Sequence, residues 1–180
     1  MGDRVSRQQA GALGCGTVGI SFLVTLIALT ELLLGEERSK GGVSTLYNWV
    51  TAGSFTLNLS ILVDPLSVFM LLIVTGVGFV IHIYSVGYME KDPEFNRFFS
   101  YLNFFIFSMA LLVLAADFFF LIVGWAMVGL ASYLLIGFWK EKTSAVLAAR
   151  KAFVMNVIGD VGMVIAAFII FENLGTLSFL

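Results

Sequence analysis

Long apolar stretches separated by short polar segments are the dominant pattern of this chain. Each stretch has roughly 18–25 residues, and a helix of that length crosses a hydrocarbon core of about 30 Å. The predicted membrane-spanning helices cover residues 11–34, 65–89, 98–115, 118–139 and 152–171. The pattern therefore predicts an all-α, polytopic transmembrane helix bundle of about five spans, which forms one membrane domain over residues 1–180.

The long polar segment over residues 35–63 has a pattern of its own. Apolar and polar side chains alternate over residues 55–61, and a period of two is typical of a strand with one buried face. Tyr47 and Trp49 have the amphipathic rings that suit a membrane interface. We therefore predict a short strand or hairpin on the outer surface of the bundle, with an irregular loop as the alternative.

Three local signals mark where helices begin and end. Asp64 before Pro65 predicts a capped start for the second span, because the carboxylate accepts from free N–H groups and proline lacks one. Pro93 after Asp92 prevents that helix from continuing into the next span. Asp117 follows a tight turn between the third and fourth spans, and we expect it to cap the fourth.

Composition places the chain among membrane proteins. Apolar residues make up 59% and charged residues 12%, with a mean hydropathy of +0.99, whereas a soluble domain has roughly a quarter charged residues. The net charge of −2 argues against a nucleic-acid partner. With one cysteine and one histidine, the chain predicts neither an intrachain disulfide nor a Cys/His metal cluster. It has no glycine-rich nucleotide loop or Ser/His/Asp set, so we expect no catalytic residues, cofactor or metal in this chain.

Basic residues are distributed unevenly among the segments between the spans. Eight of the ten lie in segments 1–10, 90–97 and 140–151, and two lie in the loop at 35–63. Because Lys and Arg are enriched on the cytoplasmic side, this predicts a cytoplasmic N-terminus and an outer C-terminus. The first apolar run, at 11–34, is longer than that of a typical signal peptide, so we expect a retained helix.

An aspartate lies near the middle of the last predicted span. Asp160 is nine residues into that span, or about 13 Å from the membrane surface. A carboxylate at that depth is costly, and such groups usually face a polar path. Asn156 shares its helix face, and Gly159 and Gly162 would let a neighbouring helix approach closely. We predict a titratable carboxylate on a proton relay, held by Asn156 and internal water. The alternative is a static buried acid that fastens helices.

Lys151 and His82 are the other candidates for a proton path. Lys151 begins the last span, but it precedes Asp160 by nine residues and lies on another helix face. It is either a snorkelling lysine that sets orientation or a cation that lowers the pKa of a nearby carboxylate. His82 lies about 10 Å inside the second span, where a group that titrates near neutral pH can pass protons. A packing role for His82 is the alternative.

Several strings in this sequence closely resemble one protein family. They run through nearly all of residues 64–180 and are specific in combination: DPLSVFML (64–71), IHIYSVGYM (81–89), RFFSYLNFFIFSM (97–109), GWAMVGLASYLLIGFW (124–139), KAFVMNVIGD (151–160) and GTL (175–177). The family is that of subunit L of the bacterial proton-translocating NADH-quinone oxidoreductase, whose mitochondrial counterpart is subunit 5 of complex I. The chain resembles an N-terminal portion of a family member, and the likeness is looser over residues 10–63.

The resemblance implies a Mrp-antiporter-like membrane domain that couples quinone reduction to proton transfer in the inner membrane of a bacterium. It implies that NADH, flavin, iron–sulfur clusters and quinone are bound by other subunits. The implied partners are the other membrane-arm subunits and the lipid bilayer. Asp160 and Lys151 match positions that recur in the family, and His82 matches one found in many members. The alternatives are a subunit of a Mrp-type Na⁺/H⁺ antiporter or a membrane hydrogenase, and a truncated structural fragment that does not pump.

One residue departs from the family pattern. Where the resembling proteins usually have Gly-Trp-Glu, this chain has Gly124, Trp125 and Ala126. The resemblance implies that this glutamate pairs with a lysine on a later helix and tunes the lysine's pKa. A methyl group cannot exchange a proton, so the departure implies either that Asp160 takes over or that the chain has a rewired relay.

Overall fold

The computed structural model of the chain describes residues 6–34, 42–52 and 55–179, and it consists of five long helices and one β-hairpin. The helices are α1 (Arg7–Leu34), α2 (Pro65–Tyr88), α3 (Phe95–Val113), α4 (Phe118–Ile136) and α5 (Thr143–Leu174). All five are long and apolar enough to cross a membrane. The prediction of an all-α bundle of five spans with a β-like surface element is therefore confirmed.

The hairpin lies between α1 and α2. Strand β1 (Gly42–Ala52) pairs antiparallel with strand β2 (Phe55–Val63), and the register shifts twice along the ladder. The hydroxyl of Ser60 also donates to that of Thr45, at 3.1 Å, across the pair. The alternating pattern thus forms a hairpin, and the alternative of an irregular loop is wrong for the part of this loop that the structure describes.

Two of the helix starts are fixed by aspartate, as the sequence predicted. Asp64 accepts from the Ser67 N–H at 2.6 Å, while the Ser67 hydroxyl accepts from the Asp64 N–H at 2.8 Å. Asp117 accepts from the Phe120 N–H at 2.8 Å. Helix α5 begins at Thr143, nine residues before the start of the last predicted span at 152. Residues 143–151 contain no proline or glycine to break a helix, and three of them are alanine.

The helices pack in sequence order, with α1 against both α2 and α3, α3 against α4, and α4 against α5. Helix α5 therefore lies at the edge of the bundle, and only Ala149 and Ala167 are buried on it. We call the end of the bundle that holds the loops 89–94 and 137–142 the basic end. The opposite end, which carries the hairpin, is the hairpin end.

Backbone hydrogen bonds join three segments at the hairpin end. The Leu62 N–H donates to the Leu114 carbonyl at 2.9 Å, which attaches the hairpin to the turn between α3 and α4. The Phe118 N–H donates to the Leu177 carbonyl at 3.0 Å, and the Phe179 N–H donates to the Ala116 carbonyl at 3.1 Å. The turn between α3 and α4 therefore lies between β2 and the segment that follows α5.

Side chains join the loops at the basic end. The Arg97 guanidinium forms an ion pair with Glu94 at 2.8 Å and donates to the Phe138 carbonyl at 3.0 Å. The Trp139 indole N–H donates to the Asp92 carboxylate at 3.1 Å. These contacts join the start of α3 to the end of α4, so the two loops are held as one layer.

Candidate functional site

Asp160 lies close to the middle of the 32-residue helix α5 and is half-buried. Its carboxylate accepts a hydrogen bond from the Asn156 side-chain amide at 3.4 Å, one turn earlier on the same face. That distance exceeds the usual range for N–H···O bonds, so the contact is weak. No basic side chain of the described ranges forms an ion pair with Asp160, since Arg97–Glu94 is the salt bridge found there. The structure therefore brings Asn156 and Asp160 together, and the described residues give this carboxylate one weak hydrogen bond and no ion pair.

Helix α4 supports Asn156 through a glycine. A Cβ atom at Gly129 would overlap the Asn156 side chain, so the absence of a side chain there makes room for the amide. In contrast, a Cβ at Gly159 or Gly162 would meet nothing within 4 Å among the described atoms. No described residue makes the close approach that these two glycines would allow, so that expectation stays a prediction. The close contact in this region is between Gly129 of α4 and the Asn156 side chain of α5.

Lys151 does not join this pair. Because α5 begins at Thr143, Lys151 lies about two turns inside the helix and not at its start. Its side chain is exposed, and it forms no salt bridge with a described residue. Two roles were predicted for Lys151, as a lysine that sets orientation and as a cation near a carboxylate. This geometry tests neither, so both stay predictions.

His82 is the most completely buried of the predicted site residues, with 0% exposure. Its Nδ1 lies 2.7 Å from the carbonyl oxygen of Gly78, one turn earlier, so Nδ1 carries the proton and donates it. Its Nε2 is buried and has no hydrogen-bond partner among the described atoms. The ring also meets the edge of Phe99 with centroids 6.0 Å apart. A neutral imidazole held in this way keeps one free acceptor inside the bundle.

His82 and Asp160 belong to different parts of the bundle. Helix α2, which carries His82, packs against α1 and α3, whereas α5, which carries Asp160, packs against α4. The described residues provide no direct contact between the two groups. A proton path that used both would need intervening groups.

A cavity of about 550 Å³ between α1, α2 and α3 was not predicted from the sequence. Hydroxyl groups of Thr17, Ser21 and Thr25 on α1 follow one another at four-residue spacing along its wall. The Thr17 hydroxyl also bonds the Asn103 amide oxygen at 2.8 Å, which links α1 to α3. The four-residue spacing in α1 is the signal that could have indicated this polar face.

Ala126 lies on an exposed face of α4, next to Trp125, which is 39% exposed. The two buried glycines of α4 face different neighbours. A Cβ at Gly124 would lie 2.7 Å from the backbone of Leu112 in α3, while Gly129 faces Asn156 in α5.

Within residues 6–34, 42–52 and 55–179, no three His, Cys, Asp or Glu side chains converge as metal ligands would.

Two family models match this chain. Residues 49–99 match the family described as NADH-Ubiquinone oxidoreductase (complex I), chain 5 N-terminus. Residues 115–180 match the family described as NADH:quinone oxidoreductase/Mrp antiporter, TM. Taken together, the two matches cover more than half of the chain.

Curated relatives are similar over nearly the whole chain. NADH-quinone oxidoreductase subunit L of Mycobacterium tuberculosis is 46% identical over 93% of this chain, which corresponds to 26% of that protein. Subunit L of Escherichia coli K12 is 41% identical over 98% of this chain and 28% of its own length. The chain therefore spans about a quarter of the length of these relatives.

Solved structures share the fold. A chain of the Mrp complex from Dietzia sp. DQ12-45-1b superposes with a TM-score of 0.72 at 24% identity, covering 97% of this chain and 20% of that one. A chain of the archaeal membrane-bound sulfane sulfur reductase gives a TM-score of 0.66 at 22% identity, covering 98% and 26%. With its five membrane-length helices, the chain is a multi-pass membrane protein.

Proposed function

Because this chain belongs to the family of complex I chain 5 and Mrp-antiporter membrane subunits, we propose that it translocates protons as part of an NADH-quinone oxidoreductase. The chain would be a subunit of the oxidoreductase without carrying redox chemistry of its own. NADH, flavin, iron–sulfur clusters and quinone would be bound by other subunits. Its partners would be neighbouring membrane-arm subunits in the inner membrane of a bacterium, with the basic end toward the cytoplasm.

The state of Asp160 carries this proposal. The carboxylate lies near mid-helix in a membrane span, is half-buried, and has one weak bond, at 3.4 Å, to Asn156. A carboxylate held in a short bidentate ion pair is kept in its ionised form, which disfavours proton uptake. One that is poorly satisfied at this depth can take up and release a proton when the electrostatic field changes. Asn156 would position the carboxylate, and Gly129 supports this by leaving space for the amide.

Ala126 bears on which group performs the transfer. Its exposed methyl group offers no proton at the position where family members usually have glutamate. We therefore assign the proton-exchanging role in this chain to Asp160, with His82 and Lys151 as further candidates. His82 would act as a separate acceptor through its free Nε2, because α2 does not pack against α5.

Replacing Asp160 by asparagine tests the proposal. Asp160→Asn keeps the size of the side chain and an acceptor for Asn156 but cannot ionise. Loss of a general acid–base group slows proton transfer by about two orders of magnitude, so we expect fewer protons to be moved per electron than in the wild type. The measurement is the number of protons moved per electron by the complete complex in proteoliposomes, with NADH oxidation followed in parallel.

Glu172→Gln is the matched control, since it removes an exposed carboxylate near the end of the same helix. It should leave the proton-to-electron ratio unchanged. Ala126→Glu restores the residue that family members usually have at this position. In a chain that keeps Asp160, we expect this variant to raise the proton-to-electron ratio or to leave it at the wild-type value. An unchanged ratio in Asp160→Asn would remove Asp160 from the path and leave His82 and Lys151 as the candidates.

The related antiporters suggest a second function, Na⁺/H⁺ exchange, because the matched family description names both groups of proteins. The same proteoliposomes discriminate between the two. Proton movement driven by NADH oxidation without Na⁺ supports the oxidoreductase, whereas proton movement driven by a Na⁺ gradient alone supports the antiporter.

A further inference from the structure

A second cavity, of about 340 Å³, lies at the basic end between α3, α4 and α5. Its walls combine two phenol rings, Tyr101 and Tyr133, with the Lys140 side chain and the apolar residues Leu134 and Val146. The volume lies within the range of sites that bind small molecules or parts of larger ones. This cavity is separate from Asp160 and His82, neither of which lines it.

The polar groups of this cavity are available to a ligand. Neither tyrosine hydroxyl, nor the Lys140 ammonium, forms a hydrogen bond or ion pair with another residue of the described ranges. The tyrosine rings are nevertheless held in place. Tyr133 packs against Phe153 with centroids 5.4 Å apart, and Tyr101 meets the buried ring of Phe138 edge-on at 6.4 Å. Three hydrogen-bond donors therefore surround a preformed apolar space.

The position of the cavity along the helices favours a lipid. It lies where the apolar part of α4 gives way to the charged loop 137–142, and Trp139 and the two tyrosines mark this level as the membrane interface. Lys142, Arg150 and Lys151 are exposed nearby on the loop and on α5. Glu141 is exposed beside Lys140 but does not line the cavity. Basic pockets between membrane helices bind anionic lipid head groups.

We propose that this cavity binds the head group of one anionic phospholipid. The phosphate would accept hydrogen bonds from the Lys140 ammonium and the hydroxyls of Tyr101 and Tyr133. The glycerol and the first acyl carbons would lie against Leu134 and Val146. Because the lipid touches α3, α4 and α5 together, it would hold the start of α5 against the rest of the bundle.

The experiment measures lipid binding to the complete membrane complex after delipidation. Phosphatidylglycerol is titrated in detergent, and bound lipid is counted by native mass spectrometry for wild type, Lys140→Gln and Lys142→Gln. Lys142 is the matched control because the same charge is lost from the same loop, while its ammonium lies 4.3 Å from the Trp139 ring and outside the cavity. We expect Lys140→Gln to weaken one binding event about fivefold and Lys142→Gln to have less than half that effect.

Two further arms identify the ligand. Phosphatidylcholine should bind this site more weakly than phosphatidylglycerol, since its head group carries no net charge. Excess inorganic phosphate should fail to displace phosphatidylglycerol, because phosphate lacks the glycerol and acyl contacts. The proposal would be overturned if Lys140→Gln and Lys142→Gln had equal effects, if the two lipids bound equally, or if phosphate displaced phosphatidylglycerol.

Discussion

Two buried titratable side chains, His82 and Asp117, differ in how their polar atoms are satisfied. His82 donates through Nδ1 to the Gly78 carbonyl, but its Nε2 has no partner among the described atoms. Asp117 is 9% exposed and accepts from the Phe120 N–H at 2.8 Å. An unsatisfied buried acceptor costs about 1–3 kcal/mol, so His82 is a candidate for a functional group or for a contact with bound water. Asp117 is explained by its role as a helix cap.

Asp117 predicts a pH dependence of stability. Burial raises the pKa of its carboxyl above the usual value, and the N–H groups of Phe120 and Phe119 partly offset that rise. The folded protein then binds this proton more readily than the unfolded chain does. The free energy of unfolding should therefore fall as the pH rises from about 4 through the raised folded pKa.

Asp117→Asn keeps an oxygen that can accept from the Phe120 N–H but removes the titration. The variant should lose this part of the pH slope, as measured by the unfolding midpoint in mixed micelles at a series of pH values. If the slope of the wild type persists in the variant, another group is responsible for it.

At the scale of elements, glycines decide where helices approach closely. A Cβ at Gly124 would lie 2.7 Å from the Cα of Leu112, so α3 and α4 are in backbone contact there. Gly129 instead leaves room for the Asn156 side chain from α5. Because helices in a bilayer gain little from apolar burial against one another, such close contacts provide much of the packing energy.

Gly124→Ala should destabilise the bundle by about 1–3 kcal/mol, because the added methyl group meets backbone that cannot rotate away. Gly16→Ala is the matched control, since the same methyl group on α1 would meet nothing within 4 Å. That variant should be neutral or slightly stabilising, given the higher helix propensity of alanine. The measurement is the unfolding midpoint in mixed micelles, and equal midpoints for the two variants would contradict the assigned contact.

At the scale of the whole molecule, the two ends of the bundle are held together differently. Backbone hydrogen bonds join β2, the turn between α3 and α4, and residues 177–179 at the hairpin end. Side chains such as Arg97 and Trp139 join the loops at the basic end. Helix α5, which carries Asp160, packs mainly against α4 among the described helices. The segment that follows the helix is thus held by backbone hydrogen bonds, whereas no described atom lies within 4 Å of a Cβ built at Gly159.

The proposed orientation can be checked with cysteines at the two ends. In a background with Cys15→Ser, Thr176→Cys at the hairpin end should react with a membrane-impermeant maleimide in intact cells. Lys142→Cys at the basic end should react only after the membrane is permeabilised. The reverse labelling pattern would place the basic end outside.

Sequence alone determined the number of long apolar helices and the caps at Asp64 and Asp117, because these depend on periodicity or on residues adjacent along the chain. It predicted a strand or hairpin over residues 55–61, and the structure selected the hairpin. It also placed Asn156 and Asp160 on one face, since that follows from helical spacing. Tertiary structure decided which helices are neighbours. The arrangement of the helices sets the burial of His82, its separation from Asp160 and the contact of Asn156 with Gly129. A helix's own sequence specifies its apolar and polar faces, but the surface that each face meets is set by the packing of the whole bundle.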